Sequence, residues 1–164
     1  YLHWTADYYG QAYSDYHINI DKDGEVYLTC HELYQPKSHT FLRNKDGIGI
    51  ALCCGVGASF TGKNPQTIDF GECPPTMMQI EKMAQVIAIL ADALELPIEF
   101  SAVATHAEVA IVDGYGPLSS DEQKRWDLWY LPGTPRNFDH RMGGVTLRRK
   151  AQWYKDLFDR RIAA

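Results

Sequence analysis

The chain has 164 residues, of which 45% are hydrophobic and 12% aromatic, so it is long and apolar enough to form a core of its own. Its formal net charge of -5 and the lack of a long basic run argue against a nonspecific nucleic-acid binder. No apolar run is long enough to span a bilayer, and we therefore expect a soluble monomer. The sequence starts at Tyr1 rather than Met, which leaves open whether an upstream signal peptide has been removed.

An apolar start and three β-rich runs make up the first third of the chain. Residues 1–4 read YLHW, so that His3 stands among large apolar side chains. The runs YHINI (16–20) and EVYLT (25–29) are joined by DKDG, a pattern that predicts a β-hairpin. The run IGIALCC (48–54) is apolar throughout and predicts a central strand that is covered on both faces.

The four cysteines lack the spacing of a zinc knuckle. Cys53 and Cys54 are adjacent within the apolar run, while Cys30 and Cys73 stand apart from them. We interpret them as small apolar core residues, which is how free cysteines usually behave. A disulfide between Cys73 and one of the others stays open, and the redox compartment is therefore undecided.

Two helices are predicted in the remaining sequence. The segment 74–97 carries a capping box, with Thr76 three residues before Gln79, and its apolar residues follow the i, i+3, i+4 spacing of one buried stripe. A second helix is predicted over about 145–160, where apolar residues again favour one side. It includes the basic stretch LRRK (147–150), which we interpret as a solvated helix face.

The mixture of strands and covering helices predicts an α/β fold with a central mixed β-sheet flanked by helices. The sequence contains no internal repeat and no low-complexity linker. We therefore assign 1–164 to a single domain, in which 134–164 is a C-terminal extension that carries a helix and packs on the same domain.

Two histidines mark the ends of predicted strands. The run IEFSAVATH (98–106) predicts a strand that terminates at His106, and His3 ends the apolar start of the chain. Strands that end at the same edge of a sheet would bring these two imidazoles together. Because a hydrolytic zinc ion needs three protein ligands and accepts both imidazole and carboxylate, we expect a third ligand. Asp127 is preferred for this role, and Asp113 is the alternative.

Five short segments resemble one enzyme family. In chain order they read HWTA, YHINIDKDGEVY, HTFLRNKDGIGIAL, PPTMMQIEKMAQVIAIL and THAEVA. They are similar to segments of the zinc-dependent N-acetylmuramoyl-L-alanine amidases of type 2, which include phage amidase endolysins and the peptidoglycan recognition proteins. The resemblance runs from about residue 1 to about residue 133. It implies Zn2+ as cofactor, peptidoglycan as substrate and action at the cell wall after secretion, periplasmic placement or phage delivery.

The resemblance also implies a set of metal ligands. His3 matches the histidine of the HWTA-type motif, and His106 matches that of a GHREVA-type motif. The family's third ligand is a Cys or Asp further along the chain, often two positions after a catalytic Lys, which fits Arg125 and Asp127 in the sequence RWD. The alternative Asp113 has the shorter distance in sequence from His106.

Catalytic roles follow from the same resemblance. Tyr16 matches a tyrosine that is implicated in catalysis, and Ala51 stands where some family members place a glutamate base, which gives Tyr16 more weight. Arg125 is expected to stabilise an oxyanion electrostatically, because a guanidinium stays protonated. Glu108 is close in sequence to His106 and is expected to orient that ligand.

The loop HTFLRN is expected to contact the substrate. A peptidoglycan stem peptide carries carboxylates, which hydroxyl, amide and guanidinium groups bind well. The candidate residues of this loop are His39, Thr40, Arg43 and Asn44.

Two other functions stay open. A module that binds muropeptides without cleaving them would retain no zinc. A cysteine hydrolase would use Cys53 or Cys54 with His106, but these thiols lie in an apolar run without a basic neighbour to lower their pKa.

Overall fold

The secondary structure of the computed structural model comprises four short strands and three α-helices over the described residues, which are 1–45, 47–120, 125–136 and 142–162. The strands are β1 (Leu2–Trp4), β2 (Ile18–Ile20), β3 (Val26–Leu28) and β4 (Ile50–Leu52). The helices are α1 (Met77–Ala93), α2 (His106–Val112) and α3 (Gly143–Ile162). None of the described helices combines the length and the apolar character that crossing a bilayer requires.

The strands form one mixed sheet in the order β1-β4-β2-β3. β4 runs parallel to both of its neighbours, and β2 and β3 form the predicted antiparallel hairpin. Every residue of β1, β2 and β4 is buried, whereas the edge strand β3 is exposed. The α/β fold with a central mixed sheet is therefore confirmed. His3 of β1 lies beside Ala51 of the inner strand β4.

Helix α1 begins and packs as its sequence predicts. The Thr76 hydroxyl accepts a hydrogen bond from the backbone N–H of Gln79, and the Gln79 side-chain oxygen accepts one from the backbone N–H of Thr76, which completes the capping box. The Gln79 amide also donates to the backbone oxygens of Ile20 and Cys53, so the helix start is fixed to the sheet. The buried face of the helix consists of Gln79, Ile80, Met83, Ala84, Ile87, Ala88 and Ala91.

The predicted strand over 98–106 is wrong. Only Thr105 bridges to the sheet, beside Leu2, and it then serves as the N-cap of α2. Thr105 and Glu108 form a second capping box, so the apolar residues that follow belong to a helix. His106 is accordingly the first residue of a helix and not the last residue of a strand.

Helix α3 packs against α1, and this contact corrects the interpretation of LRRK. Leu147 is fully buried, and Arg148 forms an ion pair with Glu108 of α2. Lys150 pairs with Glu81 of α1. Only Arg149 of this stretch is exposed, because the helix presents the other three positions to the rest of the molecule.

The cysteines are free thiols, and Cys53, Cys54 and Cys73 are buried as predicted for core residues. Cys30 is half-buried near the hairpin. The disulfide that the sequence left open is therefore not formed in this structure.

Candidate metal centre

Three side chains that are distant in sequence meet at one end of the sheet. They are His3 from β1, His106 from the first turn of α2, and Asp127 from the segment after α2. One potential ligand atom of each lies within 4.8 Å of the others. Asp127 Oδ2 is 3.1 Å from His3 Nδ1 and 3.4 Å from His106 Nδ1. We call these three residues the His3–His106–Asp127 cluster.

Backbone contacts bring the three elements together. Leu2 donates to the backbone oxygen of Ala104 over 2.9 Å, which places the start of α2 next to β1. Ala107 N lies 3.4 Å from the backbone oxygen of Asp127, so the first turn of α2 also holds the Asp127 segment. That segment is anchored by Trp126, whose ring meets Trp4 with centroids 4.6 Å apart. The cluster thus has a buried aromatic support on the side of Asp127.

His3 and Asp127 have the protonation states that metal ligands need. Burial lowers the pKa of His3 to about 3, so this imidazole is neutral near pH 7. Burial alone would raise the pKa of Asp127, but the neighbouring His106 and His3 outweigh it and hold the pKa of that carboxyl well below its usual range. The exposed fraction of the Asp127 side chain is 13%, which gives the cluster access to the surface.

Asp113, the alternative third ligand, is engaged elsewhere. Its carboxylate accepts two hydrogen bonds from the Arg43 guanidinium, over 2.6 and 2.8 Å. This hydrogen bonding to Arg43 lowers the pKa of Asp113. Among the described residues, the carboxylate that meets both histidines is that of Asp127.

Tyr16 lies beside the cluster. Its ring centroid is 5.2 Å from that of His3, and its hydroxyl donates to the backbone oxygen of Trp4 over 3.3 Å. Burial, together with the charge of Asp127, raises the pKa of Tyr16 well above its usual range. The phenol is therefore a hydrogen-bond donor at any physiological pH.

Arg125 lies on the other side of the cluster, above an aromatic pair. Its guanidinium carbon is 4.9 Å from the centroid of Phe41 and 5.5 Å from that of Tyr115. The Tyr115 ring is in turn 6.2 Å from that of His106. Tyr115 therefore contacts both the Arg125 guanidinium and the His106 ring.

Glu108 supports His106 through the backbone of α2. Its carboxylate accepts hydrogen bonds from the backbone and the hydroxyl of Thr105 and from the Arg148 guanidinium, the last over 2.8 and 2.9 Å. The hydrogen bonds of the described residues include none between Glu108 and the His106 ring. The carboxylate instead holds the first turn of α2 against α3.

A family model described as N-acetylmuramoyl-L-alanine amidase matches residues 1–124. The chain belongs to this amidase family. The resemblance found in the sequence is therefore confirmed, and membership indicates peptidoglycan amidase chemistry in general. Searches of the curated proteins and of the solved structures gave no significant match.

The part of the chain that the family model matches includes His3 and His106 but ends before Arg125 and Asp127. The assignment of Asp127 therefore rests on the geometry of this chain. Two imidazoles and one carboxylate are a ligand set that zinc binds in hydrolases. In addition, Nε2 of His106 is buried without a hydrogen-bond partner among the described residues, and such atoms commonly mark catalytic or ion-binding positions. The residues present fit a zinc ion.

The four loop residues expected to bind substrate occupy two different environments. His39 and Thr40 are buried behind the His3 ring. Arg43 and Asn44 are half-buried, with Arg43 paired to Asp113 and Asn44 accepting a hydrogen bond from the backbone of Thr40 over 2.7 Å. Their contacts with a substrate stay a prediction.

Sequence reasoning missed the aromatic pair of Phe41 and Tyr115 beneath Arg125. Tyr115 also donates its hydroxyl to the backbone oxygen of Phe41 over 3.1 Å, which joins the loop before β4 to the loop after α2. No local sequence pattern predicts a contact between residues that are 74 positions apart. By contrast, the second capping box was visible as Thr105 three residues before Glu108.

Proposed function

We propose that this chain is a zinc-dependent N-acetylmuramoyl-L-alanine amidase. It would hydrolyse the amide bond between the lactyl group of N-acetylmuramic acid and L-alanine, so that water adds across the C–N bond. The products are a lactyl carboxylate on the sugar and a free amino group on the stem peptide. The observation that carries this proposal is the convergence of the His3, His106 and Asp127 side chains, with the His3 imidazole neutral and the Asp127 carboxyl ionised as zinc requires.

His3, His106 and Asp127 would hold the metal. A bound zinc ion supplies Lewis acidity, which polarises a carbonyl group and makes water reactive near neutral pH. The ionised Asp127 carboxylate and the neutral His3 imidazole are ready for this without first losing protons.

Tyr16 and Arg125 would stabilise the charge that develops on the substrate oxygen. Tyr16 keeps its proton because its pKa is raised, and its hydroxyl would turn from the backbone oxygen of Trp4 to donate to the substrate oxygen. One such donor aimed at the developing charge is typically worth about 3–4 kcal/mol. Arg125 would act through its fixed positive charge, which Phe41 and Tyr115 hold in place.

The substrate would reach the cluster from the exposed side of Asp127. Arg43 lies on the same loop as Phe41, and its side chain is 38% exposed, so its guanidinium can bind a stem-peptide carboxylate as well as Asp113.

We further propose that the protein acts at the cell wall as a monomer. Glu108 is proposed to assist through the position of α2.

The two alternatives predict different behaviour. A binding module without catalysis would hold muropeptides and release no free stem peptide. A cysteine hydrolase is disfavoured because burial raises the pKa of Cys53 to about 11 and raises that of Cys54 as well. Both thiols would therefore be protonated and unreactive near neutral pH.

The test is hydrolysis of a soluble muropeptide, followed by mass spectrometry of the released stem peptide. We expect cleavage at the N-terminal side of L-alanine, loss of cleavage with o-phenanthroline and recovery when zinc is added back. An alkylating agent should leave cleavage unchanged. Binding without cleavage would contradict the proposal, and so would cleavage that survives the chelator but is abolished by alkylation.

A further inference from the structure

We propose that Thr40 and His39 are positioning residues that fix the tautomer of His3, so that the Nδ1 lone pair of His3 faces Asp127. This inference rests on the metal site of the proposed function and assigns a role to residues that lie behind it. Neither side chain needs to touch substrate for this role.

The contacts form one continuous chain. His39 Nε2 lies 3.0 Å from the backbone oxygen of Gly47, and His39 Nδ1 lies 2.8 Å from Thr40 Oγ1. Thr40 Oγ1 is also 3.1 Å from His3 Nε2. The last link is His3 Nδ1, which lies 3.1 Å from Asp127 Oδ2. We call this series the Gly47–Asp127 hydrogen-bond chain.

The direction of each hydrogen bond follows from its fixed end. A backbone oxygen can only accept, so the proton of a neutral His39 must sit on Nε2. Its Nδ1 is then an acceptor and takes the single hydroxyl proton of Thr40. Thr40 Oγ1 consequently has only lone pairs left, and it must accept from Nε2 of His3.

This direction decides what His3 presents to Asp127. With its proton on Nε2, neutral His3 turns the lone pair of Nδ1 towards a carboxylate oxygen. Two lone pairs that face each other repel, whereas both can bind a cation that lies between them. The other tautomer would donate from Nδ1 to Asp127 and would form an ordinary hydrogen bond where the metal should bind.

The surroundings of Thr40 and His39 hold the chain rigidly. Thr40 and His3 are fully buried, and the backbone of Thr40 is fixed by Asn44. The His39 ring lies against Gly49, where an added Cβ would come within 2.6 Å of the ring. Gly49 therefore leaves His39 the room it needs, and the ring has little freedom to change partners.

The test compares Thr40→Val with Thr40→Ser in the full chain. Valine keeps the shape but removes the acceptor for His3 Nε2, whereas serine keeps the hydroxyl. In the metal-free protein, long-range 1H–15N spectra report which nitrogen of His3 carries the proton. We expect Nε2 in the wild type and in Thr40→Ser, and Nδ1 in Thr40→Val.

Zinc affinity, measured by competition with a chromophoric chelator, is the second readout. We expect Thr40→Val to bind zinc about 10–100-fold more weakly, which is the usual effect of removing a partner behind a ligand, and Thr40→Ser to stay close to the wild type. Thermal unfolding of the metal-free variants checks that each is folded at the assay temperature.

The outcomes separate the two proposals. A wild type that binds no zinc would contradict the proposed function, while the tautomer spectra would still decide the role of Thr40. If Thr40→Val keeps the proton on Nε2 and binds zinc as the wild type does, the positioning role is wrong.

Discussion

At the scale of single residues, the buried histidines differ because their two ring nitrogens have different partners. His17 accepts from the backbone N–H of Gly49 at Nδ1 over 2.9 Å, and its Nε2 lies 2.7 Å from the backbone oxygen of Gln35. Both contacts are satisfied by the neutral ring, so His17 joins two loops to the sheet. His3 instead directs one nitrogen to a carboxylate, which is why it suits a metal.

The fold should lose stability in acid partly through His17. Burial lowers the pKa of His17 below its ordinary value of 6.5, so the unfolded chain takes up this proton first. The stabilisation is present above about pH 6.5 and is lost as the pH falls towards the folded pKa. In urea unfolding at pH 7 and pH 5, we expect a smaller decrease in stability for His17→Gln than for the wild type. The exposed His31→Gln is the control, and an equal decrease in all three would contradict this role.

Tyr16→Phe tests the proposed stabilisation of the substrate oxygen. Removal of one such donor costs about 10²–10³-fold in kcat when the donor acts in the transition state. We expect that loss in muropeptide hydrolysis with unchanged zinc content, because Tyr16 lies beside His3 without being a member of the cluster. An unchanged kcat would show that Tyr16 has no part in the reaction.

At the scale of elements, the ion pair between α3 and α2 supports the helix that carries His106. The Arg148 guanidinium binds the Glu108 carboxylate in the first turn of α2, and Gly144 supplies the space for that carboxylate. A Cβ at Gly144 would come within 1.9 Å of Glu108 Oε2. The position of α2, which carries His106, therefore depends on a glycine at position 144 of α3.

Gly144→Ala should destabilise the fold by about 1–3 kcal/mol, because the added methyl group overpacks a buried ion pair. In an unconstrained helix the same change stabilises by about 1 kcal/mol, so a net loss identifies the steric conflict. Urea unfolding monitored by circular dichroism measures it, with Arg149→Ala at the exposed face of α3 as the control. A stability equal to or above that of the wild type would contradict this account.

The elements also show what the sequence can and cannot predict. The capping box at Thr76 and the apolar stripe after it determine α1 locally, and both can be recognised in the sequence. The apolar run before His106 forms turns instead of the predicted strand, and the Thr105 capping box starts a helix at His106. The contact of Thr40 with His3 could not be predicted from the sequence, because it depends on how the loop before β4 folds back.

At the scale of the whole molecule, the candidate site depends on parts of the chain that the family model does not match. Asp127 and α3 both follow residue 124, where that match ends. Leu147 and Ala151 of α3 are fully buried, and Lys150 and Tyr154 bind Glu81 of α1. These contacts pack α3 against α1, and the single domain over 1–164 stays a prediction.

We therefore expect one cooperative unfolding transition. Far-ultraviolet circular dichroism reports mainly on the helices, and tryptophan fluorescence includes Trp4 and Trp126 beside the cluster. In a single domain the two signals should change at the same urea concentration. A loss of helical signal that precedes the fluorescence change would mean that α3 unfolds independently, and would contradict a single domain.

His3, His106 and Asp127 are proposed to hold the metal, and zinc analysis of purified variants can test all three. We expect about one zinc ion per chain in the wild type and in Asp113→Ala, because Asp113 is paired with Arg43, and little zinc in Asp127→Ala and His106→Ala. Full zinc content in Asp127→Ala with loss in Asp113→Ala would contradict the assignment of the third ligand. A wild type without zinc would contradict the metal site as a whole.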